Sequence, residues 1–159
     1  QKILGQLQDR GNAATIKHYL NLLEQSFLIR TLQKYTGSTI QTRASSPKIV
    51  VLNQALIHAY QSQARLDSDP RWRGFVFESL IGAHLAWIPN SELYYWKDEP
   101  YEVDYILKTP QRLLALEIKS GESDANARKS LEKFSKRYPK AQCEVWDYQR
   151  CLSFLEIGQ

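Results

Sequence analysis

Two apolar runs, residues 101–107 and 112–119, stand on either side of Thr109-Pro110-Gln111. Each has the length and apolar content of a strand, and the intervening proline marks a turn, so the pair reads as a hairpin. Both runs carry charge where a sheet would bury it: Glu102 and Asp104 in the first, Glu117 and Lys119 in the second. Charged side chains rarely stay buried unless they are paired or bound to something. A turn centred on Pro110-Gln111 sets Asp104 opposite Glu117 and Glu102 opposite Lys119. Like charges facing each other across a ladder repel, and a cation between them reverses the sign.

Strand alternation places Glu102, Asp104 and Ile106 on one face of the first run. In the second it groups Glu117 and Lys119 with Leu113 and Ala115, against Leu114, Leu116 and Ile118. A slip of one residue would undo this arrangement.

Around the hairpin the spacing predicts a helix over 71–87, then strands over 93–97, 101–108 and 112–119. Next come a turn at 120–124, a helix over 125–138 and closing strands over 144–146 and 152–156. That order predicts an α/β (α+β) fold, a mixed sheet flanked by helices. The first helix is apolar on most sides, the mark of a buried helix. Glu78 interrupts it, with Gly74 and Gly82 one turn before and after, so its carboxylate lies in a shallow gap.

Carboxylates gathered this way suit Mg²⁺ or Mn²⁺, which take hard oxygen ligands together with water and phosphate oxygens. Asp104 and Glu117 are the expected metal ligands, Glu78 completes the set, and Lys119 supports the charge that builds on a phosphoryl group. The same residues also read as a surface ion-pair cluster in which Lys119 pairs with Glu102 or Glu117.

Residues 1–66 follow a different pattern. Ile3, Leu4 and Leu7 have helical spacing, and Asn12 is an N-cap candidate for a second helix with Ile16, Tyr19, Leu20, Leu23 and Phe27 on one side. Strands are expected over 27–35 and 48–52, joined by a polar, basic stretch, followed by a helix over 53–63 and a linker over 64–70. This is the order of a winged helix, which lays its second helix in a DNA groove. In that reading Lys17, His18 and Asn21 on the helix and Arg43 on the ribbon tip contact DNA. The motif also serves as a packing or dimerisation module.

Charge supports the nucleic-acid reading. Residues 1–66 hold eight basic and two acidic side chains, whereas 67–159 hold thirteen and fifteen. Lys129, Lys133 and Lys136 form a basic stripe on the later helix, suited to a phosphate backbone or to a solvated face. No apolar stretch is long enough for a membrane helix. Cys143 and Cys151 without metal-ligand spacing point to free thiols in a cytoplasmic protein. The opening Gln-Lys-Ile lacks an initiator Met, so the expectation is a piece of a longer chain.

Glu78, Asp104 and Glu117-x-Lys119, in that order on a helix and two adjacent strands, resemble the PD-(D/E)XK nuclease signature. The element order resembles that fold's αβββαβ core, giving a winged-helix-like segment over 1–66 and a nuclease-like domain over 71–159. The resemblance implies metal binding by the two acidic strand residues, a catalytic Lys119 and a helix position for Glu78. Tyr19-Leu-Asn-Leu-Leu-Glu-Gln-Ser-Phe-Leu28, Ser46-Pro-Lys-Ile-Val-Val-Leu52, Arg73-Gly-Phe-Val-Phe-Glu78, Leu93-Tyr-Tyr-Trp-Lys97, Glu102-Val-Asp104 and Glu117-Ile-Lys-Ser-Gly121 are similar to the C-terminal region of prokaryotic AAA+ ATPases of unassigned role. That similarity implies an ATPase domain preceding this chain as its partner. Asn53 departs from it, at a position where an acidic residue is expected. Two further readings are a catalytically inactive nuclease-fold adaptor that regulates the ATPase and a winged-helix regulator. Oligomeric state is left open.

Overall fold

The computed structural model describes residues 13–36, 45–60, 63–121 and 125–157. In chain order its elements are α1 (Ala13–Gln25), β1 (Ile29–Lys34), β2 (Lys48–Val51), α2 (Gln54–Tyr60), α3 (Gln63–Ser68) and α4 (Pro70–Leu85). They continue with β3 (Glu92–Asp98), β4 (Tyr101–Lys108), β5 (Leu113–Ile118), α5 (Ala125–Arg137), β6 (Gln142–Trp146) and α6 (Tyr148–Ile157). The expected helix at residues 3–7, the Asn12 cap, the ribbon tip with Arg43 and part of the 120–124 turn lie outside the described residues.

Among the described residues the strands form one mixed sheet in the order β2-β1-β3-β4-β5-β6. β1 runs parallel to β3 and β5 parallel to β6, while the other neighbours are antiparallel. Residues 29–32 of β1 pair with β2, and its last two residues, Gln33 and Lys34, pair with Tyr94 and Tyr95. The β1–β2 ribbon is therefore continuous with the sheet of the later segment.

Alternation along β5 separates two cores. Leu114, Leu116 and Ile118 pack with Ile81 and Leu85 of α4 and Cys151 of α6. Ala115, with Leu113 at its margin, packs with Leu131 and Phe134 of α5. α5 is amphipathic: Ala127, Ser130, Leu131 and Phe134 recur at helical spacing and are buried. α4 starts where Asp69 accepts hydrogen bonds from the Arg71 and Trp72 N–H groups, with Pro70 fixing the first turn.

Two expectations are corrected. Residues 152–156 are helical, in α6, because Cys151, Phe154 and Leu155 meet the core at helical spacing. Asp147 caps that helix by accepting the Arg150 N–H at 2.8 Å. The expected linker at 64–70 is mostly α3, and the Arg65 guanidinium at its centre lies 4.2 Å from the Trp72 ring. Asn53 caps α2, its side chain accepting the Ala55 N–H at 3.0 Å. Asparagine caps about as well as the acidic residue expected there.

α1 buries no residue fully. Ile16 and Leu20 are half-buried, whereas Tyr19, Leu23 and Phe27 are exposed. The helix ends in a Schellman turn, with Leu28 N–H bonded to the Leu23 carbonyl and Phe27 N–H to that of Glu24. Phe27 takes the left-handed position (φ 55°) usually given to glycine, and its ring stacks on Trp87 at 6.1 Å. Glu24 then accepts the Thr31 N–H, which ties α1 to the ribbon.

Candidate functional site

β4 and β5 hold the register expected from the Pro110-Gln111 turn, with Tyr105 opposite Leu116 and Ile106 opposite Ala115. One step further the ladder gives way to side chains. Glu117 Oε2 accepts the Asp104 N–H at 3.2 Å, and Asp104 Oδ2 accepts the Ile118 N–H at 2.9 Å. Each carboxylate thus stands in for a missing backbone carbonyl, and each keeps one oxygen clear of the backbone. Glu117 Oε1 takes the Lys119 ammonium at 3.2 Å.

The orientation of Asp104 comes from a bulge. Tyr94 pairs with Ile106 and Trp96 with Val103, so Asp104 and Tyr105 together span the step that Tyr95 alone spans in β3. Val103 and Ile106, three residues apart, consequently share the core under α5, which an unbroken strand forbids. The expected common face of Glu102, Asp104 and Ile106 does not form. The bulge instead sends Asp104 toward the side where Tyr105 packs with α4.

α4 brings Glu78 to the same place. The gap expected beside Glu78 at Gly82 is filled by Tyr105, whose hydroxyl donates to the Glu78 carbonyl at 3.0 Å. Facing both acids is a residue that sequence reasoning missed. Lys48, at the start of β2, places Nζ 2.6 Å from Glu78 Oε1, 3.6 Å from Asp104 Oδ1 and 4.0 Å from Glu102 Oε1. It also donates to the Asp104 carbonyl at 3.3 Å and lies 5.0 Å from the centre of the Tyr105 ring. Its one trace in the sequence is a charge opening the apolar strand Ile49-Val-Val51 while nearby carboxylates lack a partner.

The electrostatics follow from burial and crowding. Burial, then the Asp104 charge, push the Glu117 carboxyl up to about 7, against the opposing pull of Lys119. Glu78 is raised by burial and by Asp104, with Lys48 opposing. For both lysines burial favours the neutral amine, yet the surrounding carboxylates outweigh it and hold them above their ordinary value. An acid with a raised folded-state pKa binds its proton more tightly when folded. The Glu117 contribution is therefore fully present below about pH 4.5 and is lost as pH rises to about 7. Stability in denaturant titrations is expected to fall across that window by on the order of 2 kcal/mol, and Glu117→Gln is expected to flatten the slope.

The predicted site residues divide into two groups. Glu78, Asp104, Glu117 and Lys119 come together, linked through Lys48 and the backbone bonds described above. Lys17 and Asn21 are exposed and line a groove between α1 and the ribbon with Ile16 and Leu20, and His18 is exposed with its ring beside Tyr19. Lys129, Lys133 and Lys136 are exposed on the outer side of α5, against the opposite face of the sheet from α4. The basic stripe and the acidic cluster are thus not gathered into one site.

Residues 73–154 match the model of the Domain of unknown function (DUF4143) family, a span of just over half the chain. The chain belongs to this family. The DUF4143 match contains Glu78, Glu102, Asp104, Glu117 and Lys119, and Lys48 lies outside it. Residues 2–67 match a second model, the Domain of unknown function (DUF8612). No curated protein and no solved structure matches the chain. Both cysteines are free, and among the described residues no helix is long and apolar enough to cross a membrane.

Among the described residues no three acidic, histidine or cysteine groups converge as a ready metal cage. Lys48 gives the reason, since its ammonium lies between Glu78 and Asp104. A smaller donor set remains in Asp104 and Glu117, each with one oxygen anchored by a backbone N–H and the other facing an ammonium. Mg²⁺ takes one or two protein carboxylates and completes its shell with water and phosphate. Asp104 and Glu117 supply that number of carboxylates, and an ion there would take the places that the Lys48 and Lys119 ammonium groups hold at their outward oxygens.

Proposed function

We propose that this DUF4143 chain is a nuclease-like module that cleaves phosphodiester bonds in DNA with Mg²⁺ or Mn²⁺, at the C-terminal end of an AAA+ ATPase. The observation that carries the reading is the interlock of Asp104 and Glu117, which exchange side-chain bonds with each other's strands and keep Lys119 within 3.2 Å. A buried Glu117 beside a half-buried Asp104 is costly unless cations offset the paired charge. Asp104 and Glu117 would hold the ion, which supplies an activated water and withdraws charge from the phosphoryl oxygens. Lys119, kept charged by its neighbours, donates to a non-bridging phosphate oxygen. Residues 1–66, winged-helix-like in order and basic, would grip the duplex.

Cleavage of single-stranded, duplex and branched DNA should appear with Mg²⁺ or Mn²⁺ and vanish in chelator. No cleavage of any of these substrates by the full-length protein would end the enzymatic reading. The ion pairing of Lys48 with Glu78 and Asp104 favours a second reading, a catalytically silent nuclease-like platform that binds nucleic acid or protein and regulates the ATPase. That platform would bind its partner equally well after Lys119→Ala.

A further inference from the structure

We propose that Lys48 is a resident cation of this site, holding Glu78 for itself and leaving a divalent ion only Asp104 and Glu117. The proposal rests on the cation-site reading above and changes the role of Glu78, which becomes the anchor of an ammonium and not a metal ligand.

An ammonium has three protons to donate and no acceptor capacity. Around Lys48 Nζ, acceptors stand at 2.6 Å on Glu78, 3.3 Å on the Asp104 carbonyl and 3.6 Å on Asp104 Oδ1. Two of its donors are therefore engaged, one on α4 and one on β4, with Asp104 Oδ1 in ion-pair range. The Tyr105 ring, held by its hydroxyl on the Glu78 carbonyl, lies beneath the ammonium at 5.0 Å. Three carboxylates, those of Glu78, Asp104 and Glu102, stand within 4.0 Å of the ammonium.

A second positive ion bound between Glu78 and Asp104 would have to displace that ammonium or lie against it, and like charges at such range repel strongly at low dielectric. On the Asp104–Glu117 side the ammonium is Lys119, which bonds Glu117 Oε1 at 3.2 Å and is 28% exposed against 20% for Lys48, so it yields that oxygen more readily than Lys48 yields Glu78. The geometry therefore divides the cluster into an ammonium half and a divalent half, with Asp104 shared.

Mn²⁺ binding, read by the loss of the free-ion electron paramagnetic resonance signal, tests this without any cleavage assay. Wild type, Lys48→Met, Glu78→Gln and Asp104→Asn are compared after circular dichroism has shown each to be folded. Lys48→Met is expected to take up one more Mn²⁺ per chain, or to bind it at least about tenfold more tightly. Glu78→Gln is expected to keep wild-type stoichiometry and affinity within about twofold. Unchanged binding by Lys48→Met, or a loss of about tenfold or more in Glu78→Gln, overturns the proposal. If Lys48→Met does not fold, Glu78→Gln decides alone. Wild-type uptake that survives Asp104→Asn in full, or no uptake by any variant, overturns the cation-site reading and this proposal with it.

Discussion

Under the proposed nuclease-like reading, Asp104→Asn is expected to lower Mg²⁺-dependent DNA cleavage by on the order of 10³-fold while leaving the protein folded. The asparagine carbonyl can still accept the Ile118 N–H that Asp104 Oδ2 accepts at 2.9 Å, so the splayed ends of β4 and β5 remain tied. The charge that pairs with the Lys48 ammonium, and that the proposed divalent ion would share, is lost. A second readout separates this electrostatic effect from a structural one. Asp104 is the main charge pushing Glu117 up, so its neutralisation should bring the Glu117 carboxyl back toward the ordinary range and shallow the stability slope below pH 7. Lys119→Ala should lose cleavage to a similar degree but move Glu117 the opposite way, because the ammonium at 3.2 Å is what restrains its rise. Cleavage that survives both substitutions would remove the site from the chemistry.

Gly82→Val is expected to destabilise the fold by the upper part of the roughly 1–3 kcal/mol typical of overpacking, or by more. Even a single methyl at Gly82 would lie 2.6 Å from Tyr105 Cζ and 2.9 Å from its Cε1. The ring has nowhere to retreat. It is 1% exposed, its hydroxyl is bonded to the Glu78 carbonyl, and the Lys48 ammonium lies over its face. Relief must come from shifting α4 away from β4, which separates Glu78 from Lys48 and Asp104. Urea denaturation measures the loss. A change under about 0.5 kcal/mol would mean that helix and strand are not in close contact here.

Much of this architecture was legible because local signals agreed. Pro100 and Pro110 separate the strands, and Leu131, Phe134 and Tyr138, opposite the lysine stripe, mark the inner side of α5. Where signals were short they misled. The short stretch 152–156, Leu-Ser-Phe-Leu-Glu, fits either period, and the Asp147 cap was the arbiter. The convergence of Glu78, Asp104, Glu117 and Lys119 follows from element order together with the hairpin register. The side toward which Asp104 turns does not, since a bulge leaves no mark in a strand of ordinary composition. Lys48 was invisible for a related reason. Its partner Asp104 is 56 residues away, and a lysine opening an edge strand looks like any solubilising charge.

The β1–β2 ribbon has a practical corollary for anyone trimming the molecule. A fragment cut to the boundaries of the family match, 73–154, keeps every acid of the cluster and discards the amine that pairs with Glu78 and Asp104. It also strips β3 of its parallel neighbour, baring a flank of Tyr94 and Tyr95 to solvent. Such a truncated piece would carry surplus negative charge around Glu78 and Asp104 and an unprotected sheet margin, an invitation to self-association.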